Sequence, residues 1–242
     1  MRIDEFPSRV VVVIPAHDES AHLPRCVESI RAAAGHVPSE VLVVVVLDSC
    51  TDGSAELLAG RYGGDVHVLE VDERNVGAAR AAGFAHARAA HGAEGIDESG
   101  IWYATTDADT TVDPDWLLRQ CHSAADMVLG VVRITEWRRT PVSAIRRYLE
   151  AYRAKIWPDG HGHVHGANMG FRADAYWRAG GFASLRSDED VDLVRRFEQH
   201  GLGIDRDRRL SVATSARPVG RAPRGFAGHL RSMRQPGRQE TS

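Results

Sequence analysis

Asp107-Ala108-Asp109 closes an apolar run, Ile101–Thr106, and sets two carboxylates one residue apart. A hard divalent cation such as Mg²⁺ or Mn²⁺ takes one or two carboxylates and completes its shell with water and phosphate oxygens, which this pair allows. A solvated turn after a strand explains the same residues. Asn75-Val-Gly-Ala-Ala-Arg80 opens a helix with a glycine and carries a cation one turn in. Helix N-termini and guanidinium groups both favour anionic oxygens, so the segment suits a diphosphate. It is neither a G-x-G-x-x-G nor a P-loop, and a helix start with a surface Arg explains it equally. Asp188-Glu189-Asp190 precedes a helical stripe of Leu193 and Phe197. Crowded carboxylates raise one another's pKa, which can tune a general base. A charged first turn complementing the helix dipole is the simpler account. His161, His163 and His165 alternate with Gly and Val and would share one side of an extended chain. Zinc would need further ligands, and no Cys pair supplies them. A loop near a substrate pocket is the expectation. Arg217, Arg221 and Arg224 could clamp phosphates, but they lack the interleaved aromatics of a single-strand nucleic-acid platform.

These residues need a scaffold that brings them together. Val10-Val-Val-Val-Ile14 reads as a strand buried on both faces, as in a parallel sheet. Asp18, Glu19 and Ser20 offer helix-start chemistry, Leu23, Val27 and Ile30 form one helical stripe, and Gly35 closes it. Val41–Leu47, Val66–Val71 and Ile101–Thr106 read as further strands, with helices over Ala55–Tyr62 and Gly77–Ala90 between them. Asp113 and Asp115 read as start signals for a helix at Trp116–Gln120. Met127–Thr135 is read as a strand, and Pro141–Trp157, Ala173–Ala179 and Asp190–His200 as helices. Strand–helix alternation at this spacing predicts an α/β domain with a mostly parallel central sheet flanked by helices, plus a smaller acceptor-side region. In such sheets ligands sit beyond the carboxyl ends of the strands. His17-Asp18-Glu19, Asp48–Ser54, Asn75–Arg80 and Asp107–Asp109 all follow strands there. The division expected is residues 1–204, with a nucleotide-binding half at about 9–115 and an acceptor half at about 116–204. A basic Arg/Gly/Pro-rich segment follows over 205–242, with nine Arg against three acids and a frayed end.

Composition bounds the class. The 242 residues are 43% apolar, enough for a core without staples and too apolar for a disordered chain. A net charge of −3 argues against a nucleic-acid binder. Cys26, Cys50 and Cys121 are odd in number and far apart, which excludes a disulfide scaffold and suits a reducing compartment. The longest apolar runs fall far short of the roughly 20 residues a membrane helix needs, and Met1–Pro7 is too polar for a signal peptide. The expectation is a soluble cytoplasmic protein, with peripheral membrane attachment left open.

Taken together, the motifs resemble family 2 glycosyltransferases of the GT-A fold over about residues 9–203. Val13-Ile-Pro-Ala-His-Asp-Glu19 is similar to that family's opening strand and loop, and Asp48-Ser-Cys-Thr-Asp-Gly-Ser54 to its second loop. Asn75–Arg80 is similar to its third, and Thr106-Asp-Ala-Asp-Thr110 to its Asp-x-Asp element. Gly166-Ala-Asn-Met-Gly-Phe171, Gly180-Gly-Phe182 and Glu189-Asp-Val-Asp-Leu193 resemble its acceptor-side motifs. The resemblance implies an inverting transfer from a nucleotide-diphosphate sugar, a UDP- or GDP-sugar first, with Mg²⁺ or Mn²⁺. It assigns Ala16, Glu19 and Asp48 to the nucleoside pocket and Arg80 to the base or diphosphate. Asp107 would face the ribose or metal, and Asp109 the metal and diphosphate. Pro15, Ala108 and Glu189 count among the nucleotide-sugar-binding residues. Gly166 and Asn168 would border the donor sugar and acceptor, and Asp190 would be the catalytic base.

The sequence departs from that pattern in two places. Ser49 follows Asp48 where the family often has a second acid. Ala213-Thr-Ser-Ala-Arg217 lacks the late His that some relatives give to the metal, and His229 lies further on. Arg217 and Arg221 are the cations that could serve the diphosphate instead. The acceptor is open, and Arg146, Arg147, Arg153 and Lys155 could meet an anionic acceptor or membrane or simply face solvent. Two other readings compete. A sugar nucleotidyltransferase is disfavoured because Pro15–Glu19 is acidic and Gly-free. A non-catalytic scaffold on the same fold is disfavoured because Asp107, Asp109 and Asp190 are all present.

Overall fold

The computed structural model describes residues 6–137 and 140–215. The β-branched run that opens the chain forms the centre of β1 (Arg9–Ala16), every residue of which is buried. The elements then follow as α1 (Leu23–Ala34), β2 (Glu40–Asp48), α2 (Ser54–Tyr62), β3 (His67–Val71), α3 (Val76–Glu94), β4 (Ile101–Thr105) and β5 (Thr110–Val112). The second half adds α4 (Trp116–Cys121), β6 (Met127–Glu136), α5 (Val142–Arg153), β7 (Ile156–Trp157), β8 (Gly160–His161), β9 (Met169–Arg172), α6 (Ala173–Arg178), α7 (Glu189–Gln199) and β10 (Ile204–Ser215).

Among the described residues one sheet runs β3-β2-β1-β4-β9-β6-β10-β5, and β7 pairs with β8 apart from it. β3, β2, β1 and β4 are mutually parallel, and β6 is parallel to β10. β9 runs antiparallel between β4 and β6, and β5 runs antiparallel on β10. Alternation along β1 feeds two cores. Val10, Val12 and Ile14 meet Leu23, Val27 and Ile30 of α1 on one face. Val11 and Val13 meet Ala79 and Phe84 of α3 on the other, where Leu193 and Phe197 of α7 join them. Each fully buried side chain of this size contributes about 1.5–3 kcal/mol. Gly83 allows α3 to lie tight on the sheet, since a Cβ there would stand 2.5 Å from Val13 Cγ1 and 2.9 Å from Val46 Cγ2.

Four features differ from the sequence reading. The acids after β1 do not cap α1; its N-cap is His22, with Pro24 in the first turn and the Glu19 carbonyl accepting from the His22 and Leu23 amides. The helix expected to reach Trp157 stops at Arg153, and Ile156–Trp157 turns back on Gly160–His161. β5 and β9 are too short, at three and four residues, to show a period. β10 carries Asp205, Arg206, Asp207, Arg208 and Arg209, so it reads as polar chain. Yet Leu210 and Val212 are buried, and the compositional shift near 205 falls inside this strand.

Candidate active site

The carboxyl ends of β1, β2 and β4 and the N-termini of α3 and α7 converge on one cleft. Four non-glycine residues in its loops hold left-handed backbone: Asp18 (φ 50°), Ser49 (54°), Arg74 (49°) and Asp188 (62°). Such conformations cost on the order of 1–3 kcal/mol each and persist only where the surroundings enforce them. Here the loops brace one another. Asp18 Oδ1 accepts from the Thr51 amide at 2.7 Å, Ser49 N donates to Val71 O at 2.8 Å, and the Arg74 amide donates to Asp48 Oδ1 at 2.8 Å.

Asp48 is buried, and its carboxylate faces its own scaffold. Oδ1 accepts from the Glu73 and Arg74 amides and Oδ2 from the Asn75 amide, all at 2.8–2.9 Å. It therefore folds the β3–α3 connection around itself and sets the start of α3, where Asn75 caps through Oδ1 to the Ala78 amide. His17 Nδ1 lies 2.6 Å from the Asp48 carbonyl. Pro15 and Ala16 are buried in β1, and Glu19 lies beside His22, Oε2 to Nδ1 3.4 Å.

Arg80 is among the largest fully buried side chains. A residue expected by the base or diphosphate has a side chain only 2% exposed, because α3 rests flat on the sheet and carries it inward. Nη2 reaches Asp107 Oδ1 at 2.6 Å, Nη1 contacts Glu189 Oε1, and Nε donates to Thr105 Oγ1 at 3.3 Å. Burial opposes its charge, but Asp107, Glu189 and Asp190 outweigh that and lift the guanidinium above its ordinary range. Glu189 is likewise buried and turned to Arg80 rather than to the cleft. Asp190 lies beside them with Oδ2 accepting from the Gly166 amide at 2.7 Å and Oδ1 from the Val191 amide at 2.8 Å. Gly166 rests on Arg80, since a Cβ there would come 2.7 Å from Nη1 and Nη2.

Ala108 is buried in the core and lends only backbone, while Asp107 and Asp109 flank it on the cleft side. Asp109 borders a pocket lined by His22, Arg25, Thr110, Thr135 and Thr214 among others, and Thr214 Oγ1 stands 3.5 Å from Asp109 Oδ1. Carboxylate and hydroxyl oxygens of this kind suit a hard cation. Another set of ligand types within 4.8 Å among the described residues is Asp18, Cys50 and Asp52. Its oxygens are already engaged by the Thr51, Ser20 and Ser54 amides, so it fastens the first loop to the second.

Asn168, expected to border the donor sugar and acceptor, is wholly enclosed. Its amide donates to the Val131 and Leu210 carbonyls and accepts from Trp116 Nε1. It ties β6, β10 and α4 together. The three histidines share one side as expected, and their rings stack. His161 Nε2 donates to Leu129 O, His163 Nε2 donates to Tyr152 O, and His165 Nε2 faces Tyr152 Oη.

Residues 11–180 match Glycosyl transferase family 2. The chain belongs to that family. Among its relatives, the undecaprenyl-phosphate 4-deoxy-4-formamido-L-arabinose transferase of Pseudomonas aeruginosa (strain LESB58) is 34% identical over 142 residues, 54% of this chain and 39% of that protein. The succinoglycan biosynthesis protein ExoO of Rhizobium meliloti (strain 1021) is 34% identical over 123 residues, 50% of this chain and 31% of that one. Mannosyltransferase PcManGT from Pyrobaculum calidifontis, solved with GDP-Man and Mn²⁺, superposes with a TM-score of 0.67 at 18% identity over 96% of this chain and 62% of its own. S. aureus TarS 1-349 with UDP-GlcNAc superposes at 0.63 and 13% over 93% and 65%. This glycosyl transferase family 2 chain thus has the GT-A fold, and it spans less than two thirds of each of these relatives.

For a family 2 chain the type and order of the cleft acids were readable, whereas several of their neighbours were not. His22 at the N-cap of α1, Arg25 on α1, Thr214 on β10 and Tyr152 on α5 reach the cleft or its supports only through tertiary packing. Thr214 lies in the segment noted for lacking His, and its hydroxyl was the signal there. Arg217, Arg221 and His229 lie outside the described residues.

Proposed function

We propose that this chain transfers a sugar from a nucleotide-diphosphate sugar to an acceptor oxygen with inversion at the anomeric carbon. The observation that carries the reading is the Asp190 carboxylate, presented at the N-terminus of α7 and fixed by the Gly166 amide beside the Arg80–Asp107 pair. In the reaction the acceptor oxygen attacks the anomeric carbon, its proton passes to Asp190, and the bond to the diphosphate breaks. Arg80 keeps Asp107 and Glu189 in register beneath that centre. Asp109, with Asp107 beside it, would hold Mg²⁺ or Mn²⁺. Such an ion, when bound, offsets charge on the departing diphosphate. Asp48 would act mainly by shaping the nucleoside pocket through the loop it folds.

A UDP- or GDP-sugar is the first donor to test, because relatives of this fold are known with GDP-Man and UDP-GlcNAc. Undecaprenyl phosphate, named in the Pseudomonas relatives, belongs among the acceptors assayed beside simple hydroxyl acceptors. No helix among the described residues is long and apolar enough to cross a membrane. A cytoplasmic site with peripheral access to membrane acceptors is compatible with free Cys26, Cys50 and Cys121.

Calorimetry with UDP, GDP, TDP and their common sugar conjugates, with and without Mn²⁺, tests the reading on wild type and Asp109→Asn. Binding of one nucleotide that weakens without Mn²⁺ or in the variant is the expected result. No binding of any of them would transfer the weight to a non-catalytic scaffold.

A further inference from the structure

A row of side chains outside the catalytic cleft leads to Asp190 through the Gly166 amide. Tyr152 of α5 is its centre. Tyr152 Oη accepts the Val132 amide at 2.8 Å and is hydrogen-bonded to His165 Nε2 at 3.2 Å. The His163 ring lies on Tyr152 with centroids 3.7 Å apart and planes 13° apart, and His163 Nε2 donates to the Tyr152 carbonyl at 2.9 Å. His165 continues the stack, 5.5 Å from His163 and inclined by 16°. His161 closes the far end, with Nε2 on Leu129 O at 3.1 Å and Nδ1 accepting from the His163 amide at 3.2 Å. The row joins β6, α5 and the loop from His161 to Gly166.

The next residue in that loop is Gly166, whose amide holds Asp190 Oδ2. The other amide on this carboxylate comes from Val191, within α7 itself. Among the described residues, Gly166 is therefore the hydrogen-bonded link between the Asp190 carboxylate and the molecule outside α7. Arg80 bounds it from below, as its missing Cβ shows. Its place along the loop is set by His165 on one side and by the turn in which the Asn168 amide donates to the His165 carbonyl at 2.9 Å. The charged and titratable groups that act on Asp190 are Arg80 from α3, Asp107 from the end of β4, Glu189 from α7 and His165.

We propose that Tyr152 and His165 are positioning residues for Asp190: the Tyr152–His165 hydrogen bond fixes the loop so that the Gly166 amide meets the carboxylate and aims it. The role in catalysis rests on the reading of Asp190 as base, whereas the positioning itself does not.

The test uses the full ¹⁵N-labelled chain with Tyr152→Phe, His165→Ala and His165→Gln, and Asp190→Asn as reference. Glutamine keeps an amide that can donate to or accept from the Tyr152 hydroxyl; alanine does not. The Gly166 amide proton should move in His165→Ala and Tyr152→Phe toward its position in Asp190→Asn, and its exchange protection should fall by about tenfold or more while β1 stays protected. His165→Gln should restore both. With GDP-mannose or UDP-GlcNAc, kcat should fall roughly ten- to hundredfold in the alanine variant with donor KM unchanged. An unmoved Gly166 signal in His165→Ala, equal loss of protection throughout β1, or failure of glutamine to rescue would each overturn the proposal. If Gly166 responds as expected but neither donor is bound or consumed, the transferase reading fails and the positioning stands.

Discussion

Arg80 Nη2 and Asp107 Oδ1 stand 2.6 Å apart, and the same guanidinium contacts Glu189 across 109 residues of sequence. The turn after β4 and the start of α7 are thereby joined through one buried cation. Replacing Arg80 with alanine leaves Glu189 buried and unpaired, at a cost of roughly 3–5 kcal/mol. Urea unfolding should show this loss. Arg80→Lys should recover only part of it, because an ammonium cannot reproduce the planar fork to Thr105, Asp107 and Glu189.

Gly166→Ala drives a methyl into that guanidinium. Overpacking of this kind costs about 1–3 kcal/mol, and turnover should fall with stability as the Asp190 contact shifts. Gly60 is the control. It lies in α2 with nothing within 4 Å of an added Cβ, so Gly60→Ala should stabilise by about 0.5–1 kcal/mol. Equal effects at the two positions would contradict the packing described.

Asp190→Asn should bind donor nucleotide like wild type and lose about 10²–10⁴ in turnover, the range for a lost general base. Weakened donor binding with turnover otherwise intact would place Asp190 in the donor pocket instead.

Asp109→Asn should abolish the difference between nucleotide binding with and without Mn²⁺, whereas Thr214→Val should only reduce it, since that hydroxyl stands 3.5 Å from the carboxylate. Paramagnetic broadening by Mn²⁺ of signals near Asp109 offers a check that does not depend on turnover.

Burial, followed by the neighbouring His163, pushes the His165 imidazole down to about 4 from an ordinary 6.5. A base held neutral in the fold stabilises it fully above pH 6.5, and that stability is lost as pH falls toward 4. The loss is roughly 3 kcal/mol by linkage. His161 and His163 are lowered in the same direction, mainly by burial, and steepen it. Unfolding free energies at pH 7, 6 and 5 should decline, and His165→Gln should flatten the slope. A slope unchanged by that substitution would separate acid sensitivity from His165.

Much of the fold was legible wherever a local pattern decides it. The valines of β1 need no partner to declare a doubly buried strand, and the stripe Leu193, Phe197 declares α7. β10 was illegible because its apolar positions are interrupted by Arg and Asp, and only pairing with β6 makes it a strand. The site divides in the same way. Asp107, Asp109 and Asp190 announced themselves by residue type and by position after a strand or before a helix. What each carboxylate or cation touches did not, because those partners lie far along the chain. Arg80 is turned inward by Glu189, Asp48 is occupied by the amides of residues 73–75, and Asn168 is held by Trp116 and Leu210.

β5, which follows Asp109 directly, has its sheet partner in β10, about a hundred residues later in synthesis. As the chain leaves the ribosome, β1 to β4 and then β9 can assemble and Arg80 can find Asp107 and Glu189, yet the strand after Asp109 must wait. Among the described residues, the wall beside that carboxylate is completed only when β10 has been made. A nascent chain stalled before Ile204 would hold Asp190 already fastened by the Gly166 amide while Asp109 still lacks Thr214 and the strand that carries it.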